Sequence, residues 1–195
     1  MNIILLNGLK DSYKHQALQR IRENYTCTRT QMSGWSYTTD NTICFIHTKC
    51  QPYDSNDNLY SKHLIVLDEF LTFMTNATYS KVILCGANWG IDLIYDKTIT
   101  SSEQTIPTQW QTIKSNNTIT NVIFQRSRVN FITKRTEQYK TWAGSENAEP
   151  LMSELAVDKY DWFWDNINIT GATIIDEDSL TEDEIYTRTN NIVTS

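Results

Sequence analysis

The chain has 195 residues, of which 39% are hydrophobic and 11% aromatic, so it can bury one substantial core and we expect a single domain. Its net charge of −6 argues against a general affinity for nucleic acids, because binding to a phosphate backbone needs clustered lysine and arginine. No apolar run approaches the roughly 20 residues that span a membrane, so we expect a cytoplasmic protein that does not bind membranes.

The beginning of the chain contains the parts of a phosphate-binding loop. Residues 3–6 form an apolar run that predicts a strand. Gly8 and Lys14 match the pattern G-x-x-x-x-G-K-[ST], in which backbone amides and a lysine cradle phosphates. Tyr13 stands where that pattern has its second glycine, and His15 stands where it has a hydroxyl. The sequence therefore indicates a phosphate-binding ancestry with an altered loop.

Helices and strands alternate along the chain. Asp11 or Ser12 could cap a first helix that ends near Tyr25. Apolar side chains recur at helical spacing over residues 61–77, which predicts an amphipathic helix. Further strands are predicted at residues 42–47, 81–85, 121–125 and 161–169. Because this alternation is typical of a parallel sheet covered by helices, we expect an α/β fold.

Two segments are less regular. Residues 101–117 are polar and weakly patterned, and we leave open whether they form a substrate lobe or a surface loop. The acidic residues between positions 176 and 184 predict a solvated helix that begins at Ser179, because acidic side chains favour the first turn of a helix.

Two short motifs each allow two interpretations. Asp68 and Glu69 follow an apolar run, as the magnesium-binding acids of many ATPases do, but they also fall on the polar side of the predicted helix. Residues 86–90 contain two glycines just past a predicted strand end. Sheets of α/β proteins bind ligands at such places, and a plain tight turn is the alternative.

Positive charge is concentrated in one stretch of an otherwise acidic chain. Arg126 and Arg128 are followed by Lys134, Arg135 and Lys140. Guanidinium groups match phosphate oxygens two at a time, so this cluster could clamp a transferring phosphate. The alternative is a solvated helix face.

No metal site is predicted. The four cysteines lack C-x-x-C spacing. The histidines, His15, His47 and His63, are scattered along the chain rather than spaced as metal ligands. We therefore expect reduced, mostly packed thiols and no bound zinc.

Together these features resemble the deoxynucleoside monophosphate kinases of T-even bacteriophages. Residues 1–14 are similar to that family's opening, in which a strand leads into a Gly-Val-Lys-Arg-Ser-Gly-Lys loop. The matching residues are Gly8, Lys10, Ser12 and Lys14. Residues 64–84 are similar to its helix and following strand, and residues 122–126 to the strand that ends in an arginine before the mobile lid.

The resemblance implies a three-layer P-loop kinase-like α/β fold with a central, mainly parallel sheet and a lid-like segment at residues 126–145. It also implies phosphoryl transfer from ATP, with Mg²⁺, to a (deoxy)nucleoside monophosphate. The implied catalytic residues are Lys14, Arg126 and Arg128. The implied nucleotide-binding residues are Gly8, Lys10, Ser12, Lys14 and His15. A phage origin would place the protein in the host cytoplasm.

Three positions depart from that family. Tyr13 places a bulky side chain where the loop needs glycine, and it would be strained at a positive φ. His15 is a poor replacement for the magnesium-binding hydroxyl, because Mg²⁺ prefers oxygen ligands. Residues 86–88 read Gly-Ala-Asn where the family has an Asp-x-Arg element.

These departures leave three hypotheses for the function. The first is a kinase-like enzyme acting on a small phosphorylated nucleoside, which the retained Lys14 and the arginine cluster favour. The second is a catalytically inactive descendant that binds a protein partner or assembles with itself in a viral setting, which the altered loop favours. The third is an α/β protein that binds some other ligand at its strand ends.

Overall fold

A β-sheet flanked by helices organises the protein in this computed structural model. The structure describes residues 1–9, 12–32, 35–39, 42–48, 72–76, 78–85, 105–143, 160–161, 163–165, 167 and 169–195. In chain order the strands and helices are β1 (Asn2–Gly8), α1 (Lys14–Arg22), β2 (Thr28–Met32), β3 (Trp35–Thr39), β4 (Ile43–Thr48), β5 (Lys81–Cys85), α2 (Thr105–Ser115), β6 (Thr118–Gln125), α3 (Arg128–Ala143), β7 (Thr173–Asp176) and α4 (Glu182–Thr194). Residues 72–76 are also helical.

The strands lie in the order β2-β3-β4-β5-β1-β6-β7. Five of them, from β4 to β7 across the sheet, run parallel, and β2 and β3 add an antiparallel edge. β1 lies in the middle of the parallel part, with Leu6 beside Cys85 of β5 and Val122 of β6. A strand between two neighbours and two helical layers needs apolar side chains on both faces, which explains the continuous apolar run at residues 3–6.

The chain leaves β1 for one side of the sheet and later returns to its other side. β4 and β5 lie on the first side, and β6 and β7 lie on the second. The order of the strands therefore reverses at β1. In open α/β sheets, ligands bind at the carboxyl end of the strand where this reversal occurs.

Helices cover both faces of the sheet. On one face, α1 and α4 pack on the strands, with Leu18 and Val193 in the same core cluster as Val122. On the other face, Phe131 of α3 and Phe163 pack on Ile123. Neighbouring residues of a strand point to opposite faces of the sheet. The adjacent residues Val122 and Ile123 therefore pack into two different cores, one on each face. The result is the three-layer α/β arrangement.

The strands predicted at residues 3–6, 42–47, 81–85 and 121–125 are confirmed as β1, β4, β5 and β6. The strand predicted at residues 161–169 is wrong. Residues 160–161 and 163–165 are helical, and the Ile167 amide donates to the Phe163 carbonyl at 2.9 Å. Phe163 and Ile167 are four residues apart, so their side chains lie on the same face and pack toward Phe131.

Two helix starts differ from the predicted ones. α1 begins after Tyr13, which has no side-chain cap, so Ser12 does not cap this helix; Asp11 lies outside the described residues. α4 begins at Glu182 rather than at Ser179. Thr181 and Glu184 form a capping box there, in which each side chain accepts from the other's backbone amide.

The remaining predicted segments are described in part. Residues 105–115 of the segment left open as a lobe or a loop form α2, whose Trp110 and Ile113 are buried. Of the helix predicted over residues 61–77, the described residues 72–76 are helical. The β2–β3 hairpin follows α1 in a segment for which no strand was predicted. Within the described residues, every helix is too short or too polar to span a bilayer.

Candidate phosphate-binding site

A tight turn follows β1 at the carboxyl end of the sheet. We call residues 8–14 the N-terminal loop; all of them except residues 10 and 11 are described. Gly8 has a φ of 150°, and a Cβ atom there would lie 2.9 Å from both the Phe124 carbonyl oxygen and Ser12 Oγ. Only glycine fits this approach of the loop to β6. The Ser12 amide closes the turn by donating to the Leu9 carbonyl at 3.2 Å.

Lys14 folds back into the N-terminal loop. Its side chain is 2% exposed, and Nζ donates to the Leu9 carbonyl at 2.5 Å and to Ser12 Oγ at 2.8 Å. A buried ammonium group is costly without such partners. The loop therefore holds its positive charge inside, where a phosphate-binding lysine is expected, and the lysine itself fills the turn.

The Tyr13 side chain points away from the turn after β1. Its φ is −70°, so the strain expected for a tyrosine at positive φ does not arise. Its ring packs against the core cluster beneath α1 and α4, and its hydroxyl donates to Glu182 Oε2 at 3.0 Å. A tyrosine fits at this position because its side chain points toward α4.

Glu177 brings a carboxylate to the amino end of α1. It lies directly after β7, and its own amide donates to the Gln125 carbonyl at 2.8 Å. Oε1 accepts a hydrogen bond from the Tyr13 amide. The side chain is 1% exposed. Since α1 has no acidic residue in its first turn, Glu177 supplies the negative charge that the amino end of a helix favours.

Arg126 completes this charged group. It follows β6, and its Nη2 lies 3.2 Å from Glu177 Oε2, an ion pair whose two side chains are 14% and 1% exposed. Oε2 itself receives no hydrogen bond from the described residues. Burial raises the pKa of Glu177, although the Tyr13 amide and the charges of Arg126, Lys14 and Lys134 act in the opposite direction. The carboxylate is thus attracted by several donors but poorly solvated.

A small cleft opens beside Glu177, which we call the Glu177 cleft. Its volume of about 10 Å³ is roughly what one water molecule needs, so a phosphate does not fit without movement of the walls. The buried Trp164 Nε1 has no hydrogen-bond partner among the described residues. The cleft is lined by Leu9, Ser12, Phe124, Arg126, Phe131, Trp164 and Glu177.

Arg128 lies outside this group. It forms a two-point ion pair with Asp161, at 2.8 Å from Nε to Oδ1 and 2.9 Å from Nη2 to Oδ2, and the two side chains are about half exposed. Arg128 lowers the pKa of Asp161. Of the two arginines predicted to act on the phosphate, the structure brings Arg126 to the N-terminal loop and directs Arg128 to the surface.

His15 points to the other side of β1. Its Nδ1 lies 3.1 Å from Cys85 Sγ, and its ring centroid lies 4.1 Å from that of His47. Burial lowers the pKa of His15 to about 3, helped by the charges of Lys14 and His47, and burial raises the pKa of Cys85 to about 12. Both groups are therefore neutral at ordinary pH. No group of three potential metal ligands was found among the described residues.

The structure thus brings together Gly8, Ser12, Lys14 and Arg126 of the predicted site residues. Lys10, the Asp68-Glu69 pair and residues 86–90 lie outside the described residues. Sequence reasoning missed Glu177, because it was assigned to a solvated acidic tail. Its position two residues after the apolar pair Ile174-Ile175 was the available signal, since an apolar pair followed by acidic residues predicts a strand ending at the ligand-binding edge of the sheet.

The fold is shared with solved structures of very different sequence. No protein-family profile and no curated protein sequence matches the chain. The chain is similar to a tRNA delta(2)-isopentenylpyrophosphate transferase from Staphylococcus epidermidis, with a TM-score of 0.50 and 8% identity over 99% of this chain and 98% of that one. It is also similar to the YorR protein from Bacillus subtilis in complex with phosphorylated GDP, with a TM-score of 0.44 and 12% identity over 98% and 95% of the two chains. The chain has the α/β fold of P-loop kinase-like proteins.

Proposed function

We propose that this protein binds the phosphates of a nucleotide at the N-terminal loop and holds them with Lys14 and Arg126. The observation that supports this proposal most directly is the buried Lys14 ammonium group in the turn after the central strand. The amino end of α1 and the Arg126 guanidinium both contact Glu177, on which the Lys14 charge also acts, and these groups would attract the same anion.

Binding requires an exchange of partners. Lys14 Nζ would leave the Leu9 carbonyl and Ser12 Oγ and donate to phosphate oxygens, which make stronger, charge-assisted hydrogen bonds. ATP is the ligand that the kinase-like fold favours. His15 offers no oxygen ligand for Mg²⁺, because its side chain is a neutral imidazole turned toward Cys85. We therefore assign no magnesium ligand to position 15.

A thermal-shift assay tests nucleotide binding. ATP at about 100 times its Kd stabilises a folded protein by about 2.7 kcal/mol, which corresponds to a Tm increase of roughly 5–10 °C for a chain of this size. We expect this increase in the wild-type protein. Lys14→Met keeps the side-chain length, removes the charge and should abolish the increase.

Lys114→Ala is the matched control for the loss of a lysine. Lys114 lies over the Trp110 ring in α2, with its Nζ 5.7 Å from the ring centroid, so the increase with ATP should persist in this variant. An unchanged Tm with ATP in the wild-type protein would contradict the proposal.

Phosphoryl transfer to a (deoxy)nucleoside monophosphate is the reaction that we propose for the bound ATP. Formation of ADP with each deoxynucleoside monophosphate measures it. Arg126→Ala should lower the rate at least tenfold, because Arg126 lies in the charged group. Arg128→Ala should leave the rate within about twofold, because its guanidinium is paired with Asp161 at the surface. Equal losses in the two variants would contradict the role of Arg126.

The closed loop favours a second candidate, an inactive kinase-fold protein that binds a protein partner or assembles with itself. Lys14 fills the turn and Glu177 takes the Tyr13 amide, so phosphate-binding groups have partners within the chain. Light scattering after size-exclusion chromatography distinguishes this candidate. It predicts an oligomer or complex that is the same with and without ATP and in Lys14→Met.

A further inference from the structure

We propose that Glu177 is an internal competitor for the phosphate site: its carboxylate occupies the place at the amino end of α1 that a phosphate would take, and a ligand binds only by displacing it. This inference rests on the proposed function and adds a form of autoinhibition to it. The contacts of Glu177, its burial and the size of the neighbouring cleft support it.

The donors that hold Glu177 are those that a phosphate would use. The Tyr13 amide, at the start of α1, donates to Oε1, and the Arg126 guanidinium lies 3.2 Å from Oε2. Lys14 is close enough to act on the carboxylate through its charge. A helix amino end, an arginine and a lysine that converge on one anion form the usual surroundings of a bound phosphate.

The carboxylate leaves no space for a second anion. Its side chain is 1% exposed, and the Glu177 cleft holds about 10 Å³. A phosphate and a carboxylate on the same donors would also repel each other at short range in a poorly solvated site. The two occupants are therefore mutually exclusive.

Displacement of Glu177 needs only a local movement. The residue lies at the beginning of a turn, at residues 177–180, between the end of β7 and the start of α4. Its two acidic neighbours are engaged elsewhere: Asp178 Oδ2 accepts from the Ser127 amide at 2.7 Å, and Asp176 Oδ1 accepts from the Asp178 amide at 3.1 Å. Rotation of the Glu177 side chain would free the Tyr13 amide without disturbing the strands.

Isothermal titration with inorganic pyrophosphate, at one pH and ionic strength, tests the inference. Glu177→Gln keeps the shape and an acceptor for the Tyr13 amide but removes the charge, so we expect pyrophosphate to bind at least tenfold more tightly than to the wild-type protein. Glu177→Ala removes the carboxylate and should bind pyrophosphate at least as tightly as Glu177→Gln does. Circular dichroism shows whether each variant folds, and Glu177→Ala replaces Glu177→Gln if the latter does not.

Glu182→Gln is the matched control. It removes one negative charge from a residue that also contacts Tyr13, but through the exposed ring hydroxyl. The affinity of Glu182→Gln for pyrophosphate should stay within twofold of the wild-type value. The double variant Lys14→Met, Glu177→Gln should lose the tighter binding that Glu177→Gln shows alone.

The outcomes separate the two proposals. Wild-type binding that depends on Lys14 but is unchanged in both Glu177 variants would overturn the inference, and Glu177 would then be a structural cap of α1. An equal gain in Glu182→Gln would also overturn it, because the effect would then be one of overall charge. Absence of pyrophosphate binding in the wild-type protein and in every variant would overturn the proposed function itself.

Discussion

The His15 side chain, in the first turn of α1, is directed away from the phosphate-binding groups proposed above. Its imidazole packs against Cys85 and His47 on the β5 side of β1, whereas Glu177 and Arg126 lie on the β6 side. A neutral imidazole at this position offers no oxygen ligand for Mg²⁺. The imidazole fills space between the helix and the sheet instead.

The buried His15 should make stability depend on pH. Its folded-state pKa of about 3 lies below the ordinary value of 6.5, so the unfolded chain takes up the proton first as the pH falls. The stabilisation is complete above about pH 6.5 and is lost as the pH decreases toward 3. Between pH 7 and pH 5 this one group should lower the free energy of unfolding by about 2 kcal/mol.

Urea unfolding at pH 7 and pH 5 measures this change, with His15→Asn as the comparison. The variant lacks the titrating group but keeps every other one, so its decrease between the two pH values should be smaller by about the same 2 kcal/mol. Equal decreases in the two proteins would show that His15 is not buried as a neutral group.

At the level of elements, the starts of α1 and α4 are capped in different ways. α1 has no side-chain cap of its own and takes its anion from Glu177, which arrives from the turn after β7. α4 has a local capping box formed by Thr181 and Glu184. The start of α1 therefore depends on a tertiary contact, whereas the start of α4 is fixed by residues that are neighbours in the sequence.

Loss of the capping box should destabilise the protein measurably. Thr181→Ala removes the hydroxyl that accepts from the Glu184 amide, and such a loss costs about 0.5–2 kcal/mol. Thr187→Ala is the matched control, because the Thr187 hydroxyl bonds to the Asp183 carbonyl inside the helix and alanine favours the helix. Urea unfolding should show a clear loss for the first variant and a change within about 0.5 kcal/mol for the second. Similar losses would contradict the cap.

At the level of the whole molecule, the sheet is stabilised by two cores, one on each face. The cluster on the α1 and α4 face contains Ile4 and Val122, and the cluster on the α3 face contains Ile123 and Phe163. The site lies where β1 separates the two sides of the strand order. The site takes Lys14 from α1 and Arg126 from the turn after β6.

The second core can be tested at Phe163. This side chain is fully buried against Ile123 and Phe131, and truncation of such a group costs about 3–5 kcal/mol. Phe163→Ala should therefore lower the free energy of unfolding by this amount. Phe73→Ala, which removes a partly exposed ring that contacts Tyr79, should cost clearly less. Comparable losses would mean that residues 160–167 do not dock on the sheet.

The local sequence was sufficient to predict most strands of the parallel part of the sheet. Apolar runs identified β1, β4, β5 and β6, because strands buried on both faces must be apolar throughout. The G-x-x-x-x-x-K spacing identified the N-terminal loop, since a strand, a glycine and a lysine at that distance must lie at the same edge of the sheet. The net charge of −6 argues against a general affinity for nucleic acids, and this stays a prediction.

Only the tertiary structure decided which anion lies at the amino end of α1. Glu177 lies more than 160 residues from Tyr13 along the chain, and its carboxylate reaches the Tyr13 amide because β7 is the neighbour of β6 in the sheet. The choice between helix and strand at residues 160–167 was also tertiary, because the apolar pair there needed the α3 face to pack against. Contacts between distant residues depend on strand order, and strand order leaves no local trace in the sequence.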